Sequence, residues 1–188
     1  VEVTDVTIAT ITIQENETGV VSYDGDIDSD HSGHTGDGYI NTDNASGTGI
    51  TWEICAAASG TYTLEWRYAH GKTGDRTAQL EVDGSVAVSN VSFPPTGSWS
   101  SWDNTSPVDV TLSSGTHQIR LEATNSGGLA NIDYISITGS NPQAGACGLA
   151  KEQPLADEQL IVPSEFKLHA AYPNPFNPET NITFNVLD

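Results

Sequence analysis

Three carboxylates sit where the hydrophobic pattern of this 188-residue chain points inward. In 130-ANIDYISITG-139 successive side chains alternate between faces, so Asp133 shares a face with Ile135 and Ile137. Near the start, Ala9, Ile11 and Ile13 share a face, and the same period carries on to Glu15 and then Glu17. Carboxylates aimed into a core are costly unless something positive meets them. The chain has 25 Asp and Glu against 6 Lys and Arg, so a bound cation is the expected answer. An all-oxygen ligand set with no Cys or His beside it points to calcium rather than zinc. One ion would then clasp the first and last strands through Glu15, Glu17 and Asp133. A one-residue slip at the strand ends would instead turn all three to solvent. The expected ion is structural, because no neighbouring His, Ser or Lys points to acid–base or nucleophilic work.

A second acidic group is 24-DGDIDSDHSGHTGDG-38. Asp24, Asp26 and Asp28 match the opening of a calcium-loop pattern. Ser29, however, stands where that loop needs Gly, and Thr35 where it needs a bidentate Glu. A helix-loop-helix calcium hand is therefore excluded, which leaves a looser calcium site or a solvated acidic loop. His31 and His34 with Asp37 could hold zinc or be surface residues. Trp99 and Trp102 lie in 93-FPPTGSWSSW-102 among Gly97 and serines. An exposed indole offers an apolar face to the axial C–H groups of a sugar ring, as it does to a cation. The alternative is that both indoles plug the core; their spacing of three predicts one in and one out. Asn125 and Asn131, flanking the start of the last strand, could hydrogen-bond hydroxyls. Arg67 and Arg76 either answer a neighbouring Asp or are reserved for a ligand carboxylate through a paired contact. The chain carries no nucleophile elbow, phosphate loop or paired-His metal motif.

These residues must be positioned by strands. Residues 7–14 read as a strand rich in Ile and Thr. Residues 15–49 read as a long loop with short strands at Val20–Tyr23 and Tyr39–Asn41, and loops of such length are usually functional. Ile50, Trp52 and Ile54 share a face, and 61-TYTLEWRYA-69 alternates Tyr62, Leu64, Trp66 and Tyr68 against Thr63, Glu65 and Arg67. Ala78, Leu80 and Val82 lead into Asp83-Gly84, a two-residue hairpin turn, and the chain returns through Val86 and Val88. Strands follow at Val108–Leu112, at 117-HQIRLEA-123 after a Ser114-Gly115 turn, and at the last stretch. Many short strands with turn signals, and no helical period, predict an all-β sandwich over residues 1–139. Residues 140–163 read as a linker. Residues 164–188 begin something new: Tyr172–Pro178 cannot be helix, Asn181–Val186 resumes alternation, and a lone strand is not stable by itself.

The formal net charge of -19 repels phosphate backbones and anionic lipid, which argues against nucleic-acid and membrane partners. It suits solubility and divalent cations. No apolar run is long enough to span a bilayer. The chain opens on Val1 with no visible signal peptide, as a mature or excised piece would. Cys55 and Cys147 could be bridged or be buried thiols. Abundant Ser, Thr, Asn and Gly with few Lys fits an extracellular bacterial module.

In this order and spacing, 15-ENETG-19, 33-GHTGDGYINTDNASGTGI-50, 66-WRYAHG-71, 97-GSWSSW-102 and 129-LANIDYI-135 resemble carbohydrate-binding modules of family 35, related to family 6, over roughly residues 8–139. The resemblance implies a jelly-roll β-sandwich with a structural calcium, to which Glu15, Glu17 and Asp133 would correspond. It implies a sugar site in the loops at one end, where Trp102 or Trp99 stacks on the ring and Asn131 hydrogen-bonds it; the family usually has an aromatic where His34 stands. The most similar branch accompanies pectin- and other polysaccharide-degrading enzymes and binds uronic acids, such as glucuronic acid or unsaturated galacturonic acid. A second calcium helps hold the acidic sugar there, with Asp24, Asp37 and Asn125 as candidates near it. A protein of this net charge needs local positive charge, from calcium or from Arg67 or Arg76, to hold an anionic sugar.

The segment 172-YPNPFNPETNITF-184 resembles the opening of the sorting domain that directs cargo to type IX secretion. That implies a secreted, multidomain parent with a catalytic module upstream. The expectation is a monomeric, non-catalytic module that brings a plant cell-wall polysaccharide-degrading enzyme to its glycan. The rivals are a calcium-stabilised structural or adhesion sandwich with no sugar site, and a small lyase or hydrolase.

Overall fold

The structure is a computed structural model and describes residues 7–148. The C-terminal segments read above as most of the linker and as a sorting-domain opening lie outside the described residues. Among the described residues there is no helix, so none long and apolar enough to cross a membrane. The strands are β1 (Ile8–Gln14), β2 (Val20–Tyr23), β3 (Gly25–Asp28), β4 (Tyr39–Thr42) and β5 (Gly49–Ala56). Then come β6 (Gly60–Ala69), β7 (Arg76–Val82), β8 (Ser85–Phe93) and β9 (Trp102–Asn104). The last are β10 (Val108–Leu112), β11 (Gly115–Ala123), β12 (Asn131–Ser140) and β13 (Gln143–Ala144).

They form two antiparallel sheets. One runs β10-β6-β12-β4-β3, with β1 also on β12 and β9 also on β6; the other runs β13-β5-β11-β7-β8, with β2 also on β5. Alternation decides which face of each strand is buried. In β6, Tyr62, Leu64, Trp66 and Tyr68 are buried and Thr63, Glu65 and Arg67 are less so. Ile13, Ile135 and Ile137 from the same sheet join Trp52, Ile54, Leu80, Ile119 and Leu121 from the other in one core. The β7–β8 turn has Asp83 at φ 51° and Gly84 at φ 76°, the paired positive φ that a two-residue hairpin requires.

Two features depart from the sequence reading. The long 15–49 segment holds a third strand, β3, whose Gly and Asp content hid it; it lies at a sheet edge, beside β4 alone. The sandwich also continues beyond Gly139, where a linker was expected. Strand β12 runs to Ser140, β13 pairs with β5, and Cys147 is disulfide-bonded to Cys55.

One detail of register positions the acidic residues. Strand β1 pairs with β12 as far as Gln14↔Tyr134, and β4 takes over the same side at Ile40↔Ile132. Between the two lies Asp133, at a register shift in the β12–β6 pairing. Irregularities of this kind re-aim side chains beside sites.

Candidate binding site

At this handover the inward row ends in charge. Glu15 and Asp133 are each 1% exposed, whereas Glu17 is exposed, because β1 ends at Gln14 and the alternation ends with it. Glu15 Oε1 accepts from the backbone N–H groups of Asp37 and Gly38, both at 2.8 Å. Asp133 Oδ1 accepts from Thr35 N at 2.9 Å, and its Oδ2 accepts from Thr35 Oγ1 at 3.1 Å and from Arg67 Nη1 in an ion pair. Glu17 Oε2 accepts from Gln14 N at 3.1 Å. Much of the expected positive partner is thus supplied by Arg67 and by backbone amides. Arg67 thus answers an Asp, one of the two roles open to it in the sequence, and it reaches Asp133 through the Tyr134↔Arg67 register. Glu15 Oε2 remains buried with no hydrogen-bond partner. Among the described residues no three His, Cys, Asp or Glu side chains gather closely enough to hold a metal.

Trp102 belongs to this corner. Its indole lies 5.3 Å from the Tyr39 ring, with the Arg67 guanidinium 5.4 Å from it, and its Nε1 donates to Ser32 O at 3.0 Å. Gly33, at φ +96°, lets the indole approach; a Cβ there would stand 2.9 Å from the ring. His34 packs between Tyr39 and Trp102 and bonds the carbonyl of Thr35 through Nδ1.

Trp99 lies elsewhere, on a cavity of about 220 Å³ lined by His31, Asn41, Asn44, Lys72, Arg76, Trp99 and Asn131. The half-buried indole rests on Gly71, where a Cβ would stand 2.6 Å from it, so only glycine fits. Arg76 lies 5.2 Å from the ring and is held by the Leu129 carbonyl and by Asn44 Oδ1 at 3.2 Å. Burial pulls the Arg76 guanidinium below its ordinary value, yet arginine stays charged in proteins. Asn131 is 4% exposed, and among the described residues no hydrogen bond holds its amide. Behind the indole, burial, joined by the charge of Arg76, keeps His70 below the usual histidine value.

The distribution of positive charge singles this cavity out. Four of the six Lys and Arg fall among the described residues. Arg67 is paired with Asp133, and Arg120 with Asp24 and Glu122. Among the described residues Lys72 and Arg76 pair with no carboxylate, and both line the cavity. A larger groove of about 490 Å³ between β8 and β10 is lined by Asp103 and Asp109, with no Lys or Arg. Its one aromatic, Tyr68, is buried, and its hydroxyl donates to the Pro94 carbonyl. It offers neither a stacking face nor a cation.

Of the sugar contacts expected from the sequence, Trp99, Asn131 and Arg76 meet in the cavity, and Trp102, His34 and Arg67 meet at the carboxylate corner. Neither tryptophan is fully in or fully out; both are half-buried. Asn125 lines neither site: its amide donates to Thr77 O and accepts from Gly127 N, holding its own loop. Asp24 is paired with Arg120 and accepts from Gly49 N, away from the cavity lining. Asp37 accepts from Asn16 Nδ2 beside Glu15. The sequence reading missed His31 as a cavity residue, and Lys72, Asn41 and Asn44 altogether. The scarcity of Lys in so acidic a chain was the one signal that could have flagged Lys72.

Carbohydrate binding module (family 6) is the family whose sequence model matches, over residues 20–139. Endo-1,4-beta-xylanase B of Cellvibrio japonicus (strain Ueda107) is 43% identical over 137 residues, 72% of this chain and 23% of that enzyme. Alpha-L-arabinofuranosidase C of the same organism is also 43% identical, over 72% of this chain and 22% of its own length. The chain therefore spans less than a quarter of these curated relatives. Among solved structures, the CBM35 from Cellvibrio japonicus Abf62 matches with a TM-score of 0.71 at 41% identity, over 74% of this chain and 100% of that one. A Xyl-CBM35 in complex with a glucuronic acid containing disaccharide matches with a TM-score of 0.69 at 42% identity, over 73% of this chain and 99% of that one. In these relatives the matching part is an ancillary domain of a glycoside hydrolase. The chain belongs to the family 6 carbohydrate binding modules, shares its sandwich with the family 35 modules, and is a non-catalytic carbohydrate-binding module.

Proposed function

We propose that the Trp99 cavity binds a uronic acid residue, such as glucuronic or unsaturated galacturonic acid, and so brings a secreted polysaccharide-degrading enzyme to plant cell-wall glycans, pectin among them. One observation carries this reading. On a protein of net charge -19, the two basic side chains without a carboxylate partner among the described residues converge beside a half-exposed indole. Trp99 supplies the apolar face for the ring, Asn131 a hydrogen bond to a hydroxyl, and Arg76 and Lys72 the charge that meets the carboxylate. The glucuronic acid containing ligand of the similar Xyl-CBM35 supports the same class of sugar. The half-buried indole of Trp99 on the cavity wall favours this over a purely structural or adhesive sandwich. The Cys55–Cys147 disulfide supports an oxidising, extracellular setting.

Calcium enters as a separate proposal at the carboxylate corner. The buried, partnerless Glu15 Oε2 supports it, whereas Glu15, Glu17 and Asp133 do not gather into a ligand set as they stand, Glu17 being exposed and Asp133 paired with Arg67. An ion held there would be structural. A second ion beside the sugar has no comparable support, since Asp24, Asp37 and Asn125 are engaged elsewhere.

Calorimetric titration of the chain with glucuronic acid, galacturonic acid and glucose tests the sugar reading. The acids are expected to bind and glucose to bind at least tenfold more weakly; equal affinities would refute the charge argument. Repeating the titration in chelator tests the ion. Uronate binding is expected to survive, while the melting temperature falls as the corner loses its ion.

A further inference from the structure

His31 occupies an unusual position on the cavity rim. Its ring lies nearly parallel to Tyr39, at 6.0 Å and 13°, and to Trp99, at 6.3 Å and 12°. The imidazole is thus packed on its faces, while among the described residues no hydrogen bond holds either ring nitrogen. The other described histidines are committed within the fold. His34 bonds the Thr35 carbonyl. His70 Nε2 donates to the Gly74 carbonyl while its Nδ1 accepts from Lys72 N, an arrangement that fits only the neutral ring. His117 stands between Asp83 and Ser113.

We propose that His31 makes the grip on an acidic sugar depend on pH: its protonated ring adds a third positive charge to those of Lys72 and Arg76, and its neutral ring does not. The inference rests on the uronate reading above and extends it to a residue that tunes specificity between acidic and neutral sugars. The charged and titratable groups around the ring are known. Asp28 and Asp30 lie on the β3 side, Tyr39 on β4, Lys72 on the β6–β7 loop and Arg76 on β7, with His70 behind Trp99. Asp30 is occupied by the Tyr39 hydroxyl. Lys72 and Arg76 repel a charged ring while Asp30 attracts it, and an incoming carboxylate adds a second attraction. A bound carboxylate therefore favours the protonated ring, and binding is coupled to proton uptake. Through the same linkage, the uronate binds more tightly as pH falls. The sugar carboxylate itself stays ionised at pH 5, because carboxyl groups of this kind titrate near 3–4.

The test is calorimetry of the whole chain with glucuronic acid from pH 8 to pH 5, in two buffers of different ionisation enthalpy. The affinity is expected to rise by about threefold to tenfold towards acid, up to the tenfold that one unit of pKa shift allows. The observed heat should depend on the buffer within that pH range, reporting proton uptake by the wild-type chain without any mutation. His31→Gln is expected to flatten the pH profile, with its melting curve confirming a folded variant. A flat wild-type profile with no buffer dependence would overturn the role of His31 while leaving uronate binding intact. A slope that persists in His31→Gln would overturn it too, by assigning the proton to another group. Absence of glucuronic acid binding at every pH would remove the uronate reading along with this inference.

Discussion

Replacing each tryptophan by alanine separates the cavity from the corner. Trp99→Ala removes the apolar platform and leaves Arg76 without the ring 5.2 Å away that helps to fix it. Stacking of a base on an aromatic side chain is worth roughly 1–3 kcal/mol by alanine substitution, and the C–H face of a sugar ring covers an indole in a comparable way. The cation–π contact is made with or without sugar, so its loss, about 0.5–1 kcal/mol, falls on the fold rather than on affinity. At 1.4 kcal/mol per decade the affinity for glucuronic acid should fall by roughly fivefold to 150-fold. The fold should lose little, about 1 kcal/mol, since the indole is only half-buried and sits on a loop. Trp102→Ala should do the reverse. That indole fills the space between Tyr39, Arg67 and Gly33 and donates to Ser32, so its loss should cost about 3 kcal/mol of stability. The corresponding drop in melting temperature is roughly 6–12 °C, with affinity within about threefold of wild type. Titration calorimetry and differential scanning calorimetry on both variants read the two effects independently. A folded Trp102→Ala that loses the sugar, beside a Trp99→Ala that keeps it, would place the ligand at the corner and refute the assignment.

Two further perturbations follow from the buried and paired charges. Asp133→Asn leaves Arg67 without its anionic partner and should destabilise the fold by roughly 3 kcal/mol, read as a lower denaturant midpoint; an unchanged midpoint would show that the pair contributes nothing. At the opposite end, burial disfavours protonation of His117, but its bonds to Asp83 and to the Ser113 carbonyl, with the Asp83 charge, outweigh burial and raise it above 6.5. Burial likewise raises Asp83, yet His117 and the Gln118 amide bring it below 3.8. The His117 contribution is therefore complete below about pH 6.5 and is lost as pH rises through its folded value; that of Asp83 is complete above about 3.8 and is lost in stronger acid. Melting temperature should accordingly decline above neutrality in the wild type and much less in His117→Gln, and parallel curves would refute the pairing.

How far the sequence disclosed this molecule depended on the range of the interaction. Alternation of two is a local property, so β6, β12 and the burial of Asp133 could be read directly. The Asp83-Gly84 turn is equally local, because its two positive φ values restrict the residues that fit. The Arg67–Asp133 pair is not local: it needs the β12–β6 register, and that register shifts at the very residue concerned. The Cys55–Cys147 bridge spans 92 residues and has no local signature. The two tryptophans, only three residues apart, diverge because Trp102 opens a strand paired to Ala69 while Trp99 is still in the preceding loop. No pattern of spacing distinguishes those roles. His31 and Lys72 were hidden for the same reason: loop residues join a site through the chain's path in space, which hydrophobic periodicity does not encode.

The cavity and the carboxylate corner are coupled by one segment. Residues 32–38 follow His31 directly, and their backbone is held from four strands or strand ends. Ser32 O accepts from Trp102 and Gly33 O from Arg67, while Thr35 N donates to Asp133, and Asp37 N and Gly38 N to Glu15. Buried carboxylates that receive backbone N–H groups fix a loop more firmly than apolar contacts do, because each bond is charge-assisted and directional. This gives the inward-facing acids a function that does not depend on what else binds them. They anchor the far end of the loop whose near end carries His31 to the cavity. It follows that Asp133→Asn, although its residue does not line the cavity, should weaken uronate binding as well as the fold. It should do so by loosening the approach of His31 to Trp99, so the loss should be greatest at acid pH, where that ring is charged. An Asp133→Asn variant with reduced stability but an unaltered pH profile of binding would show the corner and the cavity to be independent.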